Sequence, residues 1–410
     1  MAIPFFSIDI TVAELLNVIK NVCLPIKRKN SETQLKSLIK KYFPEKYISL
    51  LPSARLGFFL VLKEKLKKGD EIVFSNLSFP LYIKIANQLN LKVKLVDVEK
   101  ETLNIDTQKL KKIISKKTKC VVVTHLFGYP CKIEEIKKIT KKKNILLIED
   151  CAQSFGTKIK NKSTGTFGDV GIVSLSLIKI PTTLGGGIII SSNKKLINSI
   201  NSWTKKNIKS NFIKDIKIFM KNILSILNSY PLFYKVFSSN IFFFLHKFIP
   251  SVHRKIVYSG MGMVGKKYDP FERSLLSKYQ LEFGISQFKK INKMQVLRRK
   301  YYKNFMDYLK SNKNISFLEY DEKTTWNYQY LVIKIKRNYN KFVKHLYQNG
   351  IHAMEENVWD CTKYNFDIIN NDEKLEISKT SNKKLLRIPH SSFLKEKHMT
   401  QIYRAIKSYK

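Results

Sequence analysis

Between about residues 68 and 192 the chain alternates short, almost wholly apolar runs with amphipathic ones. Asp70–Ser75, Lys92–Val98, Lys119–His125, Asn144–Asp150, Val170–Ser176 and Gly187–Ser192 are Val/Ile/Leu-rich and read as strands. Pro80–Leu89, Thr107–Ser115 and Ile133–Lys143 repeat their apolar residues at helical spacing. Strands with near-continuous apolar runs are buried on both faces, which predicts a mainly parallel sheet covered by helices. Ligands of such sheets bind beyond the carboxyl ends of the strands. Asp150 closes one predicted strand and Ser174 lies near the end of another.

The pattern changes at residues 210–252, which are apolar and aromatic but interrupted by Lys221, Asn228, Pro231, Lys235 and Lys247. No uninterrupted apolar run of about 18 residues exists there, so two short amphipathic helices are expected rather than a membrane span. They cover the core or a partner subunit, or they lie on a membrane surface. A long helical pattern follows over Lys278–Leu309, and Leu331–Ile335, Leu385–Ile388 and Lys395–Ser408 read as a smaller α/β unit. The expected division is 1–205, 206–265 and 266–410.

A chain of 410 residues with 44% hydrophobic and 26% charged residues has enough apolar material for a large core, which excludes a mostly disordered protein. The net charge of +43 comes mainly from Lys, since nine of the 75 basic residues are Arg and 66 are Lys. Readers of nucleic acid lean on Arg for bidentate contacts, so no specific nucleic-acid partner is expected. The excess Lys comes with abundant Ile and Asn, residues that share A/T-rich codons, so genome composition suffices to explain it. Phosphorylated substrates or an anionic membrane surface are the alternative. Five scattered cysteines without a CxxC pair argue against a disulfide framework and a zinc site. The histidines show no ligand spacing, so no metal is expected. The first residues, MAIPFFSIDITVAELL, lack a basic segment followed by a clean apolar core, which points to the cytoplasm.

The densest chemistry lies between residues 149 and 187. Glu149-Asp150-Cys151-Ala152-Gln153 ends a buried strand, Gly165-Thr166-Phe167-Gly168-Asp169 turns into the next, and Ser174, Lys179 and Thr182-Thr183-Leu184-Gly185-Gly186-Gly187 follow. His125, at another strand end, reads as a packed, hydrogen-bonded side chain. The blocks IEDCAQ (148–153), GTFGDVG (165–171), SLSLIK (174–179) and TTLGGG (182–187) resemble, at the same spacings, those of the DegT/DnrJ/StrS family of sugar-nucleotide aminotransferases. PSARLGFFLVLKEKLKKGDEIVFSNLSF (52–79), KVKLVDVEKETLNID (92–106) and THLFGYP (124–130) extend the likeness, which is strong over 45–195, weaker over 275–410 and absent from 205–265.

The resemblance implies a fold type I pyridoxal 5'-phosphate (PLP) enzyme: a large α/β domain on a seven-stranded-type sheet and a smaller C-terminal α/β domain. It implies that Lys179 holds PLP covalently and shuttles the proton. Asp150 would face the pyridine nitrogen, Gln153 the ring's 3-oxygen, and Phe79 would stack on the ring. Ser53, Ala54, Arg55 and Ser174 would hold the phosphate, with Arg273 near the position of a neighbour's contribution. The family's SGT is SAR here, its His after SF is Ser176, and the Gly-Glu of TTGEGG is Leu184-Gly185. A homodimer with shared active sites is implied, moving an amino group from an amino acid such as glutamate to a nucleotide-linked keto-sugar for a surface glycan. Another PLP-dependent sugar transformation and a non-catalytic, regulatory descendant are the alternatives. Retention of Lys179 disfavours the dehydratase branch, which has His there.

Overall fold

The computed structural model describes residues 2–6, 8–23, 28–257, 266–271, 274–319, 324–356, 359–369, 374–392 and 394–409. Its larger sheet is built from β1 (Tyr47–Leu51), β2 (Glu71–Ser75), β3 (Lys92–Val96), β4 (Thr118–Thr124), β5 (Leu146–Asp150), β8 (Val170–Ser174) and β9 (Gly187–Ser191), while β6 (Lys158–Ile159) and β7 (Lys162–Ser163) form a small hairpin beside it. The strand order is β1-β9-β8-β5-β4-β2-β3. β3, β2, β4, β5 and β8 are parallel, and β9 runs antiparallel to both β8 and β1.

The parallel part follows from the connections. Helices Pro80–Gln88, Thr107–Ile113 and Ile133–Lys142 cross between successive strands, and a parallel pair needs such a crossover. β2 and β9 are buried at every position, as central strands covered on both faces must be. Because β9 reverses direction, the amino end of β9 lies beside the carboxyl ends of β1 and β8.

A second sheet runs β10 (Ile315–Phe317), β12 (Leu331–Ile335), β14 (Leu385–Ile388), β13 (Met354–Glu355), all antiparallel. β11 (Thr324–Thr325) pairs with β6 instead, joining this part of the chain to the hairpin beside the large sheet. The helix Lys278–Leu309 runs alongside, and its buried Arg298 ties distant segments together. Its Nη1 donates to the carbonyls of Gln329 (3.0 Å) and His390 (2.9 Å), and its Nη2 to Asp9 (3.1 Å).

A second tie is Asp97, fully buried just after β3. Its carboxylate accepts the Ser378 amide (2.8 Å), the Ile377 amide (3.0 Å) and Lys109 Nζ (3.2 Å). Burial alone would raise its pKa, but the bonds from Ser378, Val98 and Ile377 outweigh it and hold the carboxyl below the usual range. A depressed carboxyl pKa contributes stability above the unfolded value of about 3.9, lost as pH falls through the lower folded value. Asp97→Asn is expected to cost about 1–3 kcal/mol at neutral pH. The gap between the urea midpoints of variant and wild type should narrow once the pH drops beneath about 4.

Residues 210–252 contain more helix than two short pieces. Helices span Phe212–Ser229, Ser239–Phe248 and Pro250–Val257, with a wide π-type turn at Tyr234–Ser238. Pro231 and Pro250 open new helical segments, because proline fits a first turn but not a helix interior. The first helix buries Ile226 among Ile8, Ile10, Val18 and Phe283. Among the described residues no helix is long and apolar enough to cross a membrane.

Candidate active site

Strand register gathers the polar residues. Thr124 pairs with Asp150, Asp150 with Ile172, Ser174 with Gly187 and Gly187 with Leu51. A further bridge joins Ser53 to Gly186. One edge of the sheet, made by the carboxyl ends of β4, β5, β8 and β1 and the start of β9, therefore carries Thr124, Asp150, Ser174, Ser53 and the glycine run. Lys179 sits in the turn after β8, its amide bonded to the Ser176 carbonyl at 2.9 Å.

Asp150 is 2% exposed. Its Oδ1 accepts the Ala152 amide (3.0 Å) and its Oδ2 the Thr124 hydroxyl (3.3 Å), while Ser78 and Thr124 share a hydrogen bond of 3.1 Å. Burial pushes the Asp150 carboxyl up, opposed by the Ala152 amide and by the nearby charge of Lys179. Such a buried carboxylate at a ligand-binding sheet edge is suited to a cationic or protonated partner.

Lys179 Nζ donates to the hydroxyl of Tyr330 at 3.0 Å and lies 5.4 Å from the centre of that ring. Tyr330 immediately precedes β12, and its ring also lies against Arg387 of β14, whose guanidinium carbon is 4.4 Å from the ring centre. Arg387 Nε in turn lies 2.9 Å from the fully buried Glu356. The second sheet thus supplies the group that holds the lysine amine. No sequence signal near Lys179 announced Tyr330.

Gln153 is buried, and its Oε1 accepts the Phe127 amide at 2.9 Å. Among the described residues its Nε2 has no protein partner, so its donors remain for a ligand. Ser53 caps the helix Ala54–Lys65, its side chain accepting the Leu56 amide at 3.2 Å. Ala54 is the first helical residue, a position alanine takes without strain. Gly187 must lack a side chain, since a Cβ there would fall 2.2 Å from the Ala54 nitrogen. Arg55 acts electrostatically on the buried Tyr82, as Asp150 also does. Phe79 precedes the helix Pro80–Gln88 and meets Tyr82 edge-on at 5.3 Å. The Ser174 hydroxyl accepts a long contact, 3.4 Å, from the Ser176 amide. Arg273 lies outside the described residues.

Two residues beside the site have structural work. The carboxylate of Glu149 accepts the amides of Gly165 (2.9 Å), Phe167 (2.7 Å) and Gly168 (2.6 Å), and lies 3.1 Å from His125 Nε2. His125 Nδ1 accepts the Cys131 amide at 3.1 Å, so the proton sits on Nε2, facing Glu149. Glu149, His125 and Cys151 are close enough to resemble a metal-ligand trio, but backbone amides occupy both Glu149 oxygens and His125 Nδ1. Leu184 replaces a glycine of the resembled block and adopts φ +58°. Its amide donates to Thr182 Oγ1 (2.8 Å), and Asn222, from the helix Phe212–Ser229, donates to its carbonyl (3.0 Å). The segment 212–229 therefore braces the glycine run.

The sequence profile of the DegT/DnrJ/EryC1/StrS aminotransferase family matches residues 26–223 and 255–407. The chain belongs to this family. The match reaches residue 223, so the part without family likeness is narrower than 205–265. GDP-4-keto-6-deoxy-D-mannose 3-dehydratase from Yersinia pseudotuberculosis is 31% identical over 205 residues, covering 46% of this chain and 52% of its own. GDP-perosamine synthase from Escherichia coli O157:H7 is 34% identical over 131 residues, 32% of this chain and 36% of its own. The chain thus spans about half, or less, of the length of these curated relatives. The sugar aminotransferase CalS13 from Micromonospora echinospora superposes with a TM-score of 0.74 at 18% identity, over 100% of both chains. The E. coli GDP-4-keto-6-deoxy-D-mannose-3-dehydratase with bound hydrated PLP gives 0.73 at 21%, over 99% of this chain and 100% of that one. The architecture is that of fold type I.

Proposed function

We propose that this chain is a PLP-dependent aminotransferase that takes an amino group from glutamate and gives it to a nucleotide-linked keto-sugar. The observation that carries the reading is the placement of an amine, Lys179, within electrostatic reach of a buried carboxylate, Asp150, at the carboxyl edge of the sheet.

The donor set fits PLP. Asp150 suits a protonated ring nitrogen, the Gln153 amide a ring oxygen, and Ser53, Ala54, Arg55 and Ser174 an anionic phosphate at a helix N-terminus. Gly187 lets the Ser53–Ala54 backbone close on the start of β9, which sets this helix N-terminus at the sheet edge. Bound there, PLP supplies an electron sink for the charge left when a Cα proton is removed. Lys179 Nζ would hold the cofactor and would serve as the base that takes that proton and returns it. Tyr330 OH holds Nζ between these roles. A homodimer belongs to this reading through the family.

A dehydratase reaction is the second reading, favoured by the names of relatives such as the Yersinia enzyme. Lys179, which can both bind and re-bind the cofactor, speaks for amino transfer. Incubation with PLP, nitrogen-15 glutamate and GDP-4-keto-6-deoxymannose separates the two. Transfer predicts a sugar nucleotide carrying nitrogen-15 in place of the keto oxygen, with 2-oxoglutarate released. Loss of the sugar's 3-hydroxyl without retained nitrogen would replace this reading with the second.

A further inference from the structure

The segment 212–257 is apolar on two sides. Its inner side packs against the N-terminal residues, the helix Lys278–Leu309 and the second sheet's core, through Ile226, Tyr234 and Phe243. Its outer side carries Phe237, Ile241, Phe244 and Phe248, spaced as one helical stripe and 60%, 59%, 52% and 59% exposed. Leu232 and Val236, in the turns just before it, are 75% and 61% exposed. A soluble surface rarely leaves contiguous aromatic side chains bare without a partner.

Charge identifies the partner. Residues 209–257 contain eight Lys or Arg and a single acid, Asp215, and that acid is engaged by the Ser274 hydroxyl. Lys235 and Lys247 are exposed in the same segment, and Lys247 Nζ lies 4.7 Å from the centre of the Phe248 ring of the stripe. An isologous contact with a second copy would set this basic surface against itself, with almost no acid to answer it. An anionic lipid surface answers both features: its headgroups meet the lysines while the aromatic rings enter the acyl boundary.

We propose that the stripe Phe237–Phe248 docks the protein on an anionic membrane surface, lying in the interface rather than crossing it. The site for amino transfer would then work next to the membrane, held to this segment through Asn222 and Leu184. The test is flotation of the full chain with vesicles of phosphatidylcholine containing about one-third phosphatidylglycerol, against phosphatidylcholine alone. The expected result is recovery with the anionic vesicles at least about tenfold above the neutral ones, weakened by added salt. A triple variant, Phe237→Ser with Phe244→Ser and Phe248→Ser, should lose that binding while keeping the wild-type circular dichroism and thermal midpoint, because all three rings face outward. Lys235→Glu with Lys247→Glu should weaken anionic binding alone. Equal recovery with both vesicle types, or unchanged binding by the folded triple variant, would overturn the proposal. So would absence of vesicle binding by a wild-type oligomer that the triple variant dissociates, which would assign the stripe to a second copy.

Discussion

Lys179→Ala is expected to lower the rate of amino transfer from glutamate by about 10⁴-fold or more, because it removes both the covalent anchor and the proton carrier. Lys179 is only partly buried and its side-chain hydrogen bond goes to Tyr330, so the variant should keep the wild-type urea midpoint to within about 0.5 kcal/mol. Single-turnover formation of 2-oxoglutarate, measured beside the midpoint, separates lost chemistry from lost folding. A rate within about tenfold of wild type would remove Lys179 from its assigned role. Loss of rate together with loss of the folded state would leave the chemistry to Lys179→Arg, which keeps the charge beside Tyr330 without a nucleophilic amine.

Glu149→Ala is expected to have the largest effect on stability of any single change at the sheet edge. It strips the acceptors from the amides of Gly165, Phe167 and Gly168 and from His125 Nε2 at once. Each buried donor left without a partner costs about 1–3 kcal/mol, so a total of about 4 kcal/mol or more is expected. Glu149→Gln keeps one oxygen but turns an NH₂ group toward an amide, and should fall between wild type and alanine. Urea unfolding of the three proteins checks the order. The loop these amides belong to has little room to readjust: a Cβ at Gly171 would come within 2.3 Å of the Gly165 carbonyl. A loss of less than about 1 kcal/mol in Glu149→Ala would mean that water replaces the carboxylate.

The parts of this site that the sequence made legible are those whose neighbours are local. Asp150 and Ser174 fall at or near the ends of predicted strands, so pattern alone puts them at the carboxyl edge, whereas Gln153 and Lys179 are marked by the resemblance of the blocks around them. Glu149 was legible only in part. Successive residues of a strand point to opposite faces, so Glu149 could not share the site with Asp150, but its amide partners belong to a loop whose shape no pattern specifies. Tyr330 lies 151 positions from Lys179, and nothing near either residue marks the contact.

The same division holds for the fold. The parallel strands announce themselves as apolar runs between helices, whereas β1 is a short edge strand with Tyr47 41% exposed. Its pairing with β9 joins Tyr47 to Ser191, a register set by tertiary packing. The helix boundaries within 210–252 follow Pro231 and Pro250; Pro231 reads in the sequence as an interruption of an apolar segment, yet it starts a new turn. Leu184 in a left-handed conformation is tolerated because Asn222 and Thr182 fix its carbonyl and amide, contacts that no local pattern around Leu184 specifies.

The most direct test of the central claim is to load the purified protein with PLP, reduce with borohydride, digest it and map the cofactor by mass spectrometry. The account predicts a single major pyridoxyl-modified peptide carrying the group on Lys179 among the 66 lysines. It further predicts that the visible band present before reduction is absent from Lys179→Ala. Modification spread over surface lysines, or a band that survives the substitution, would contradict the assignment of Lys179 and with it the proposed reaction.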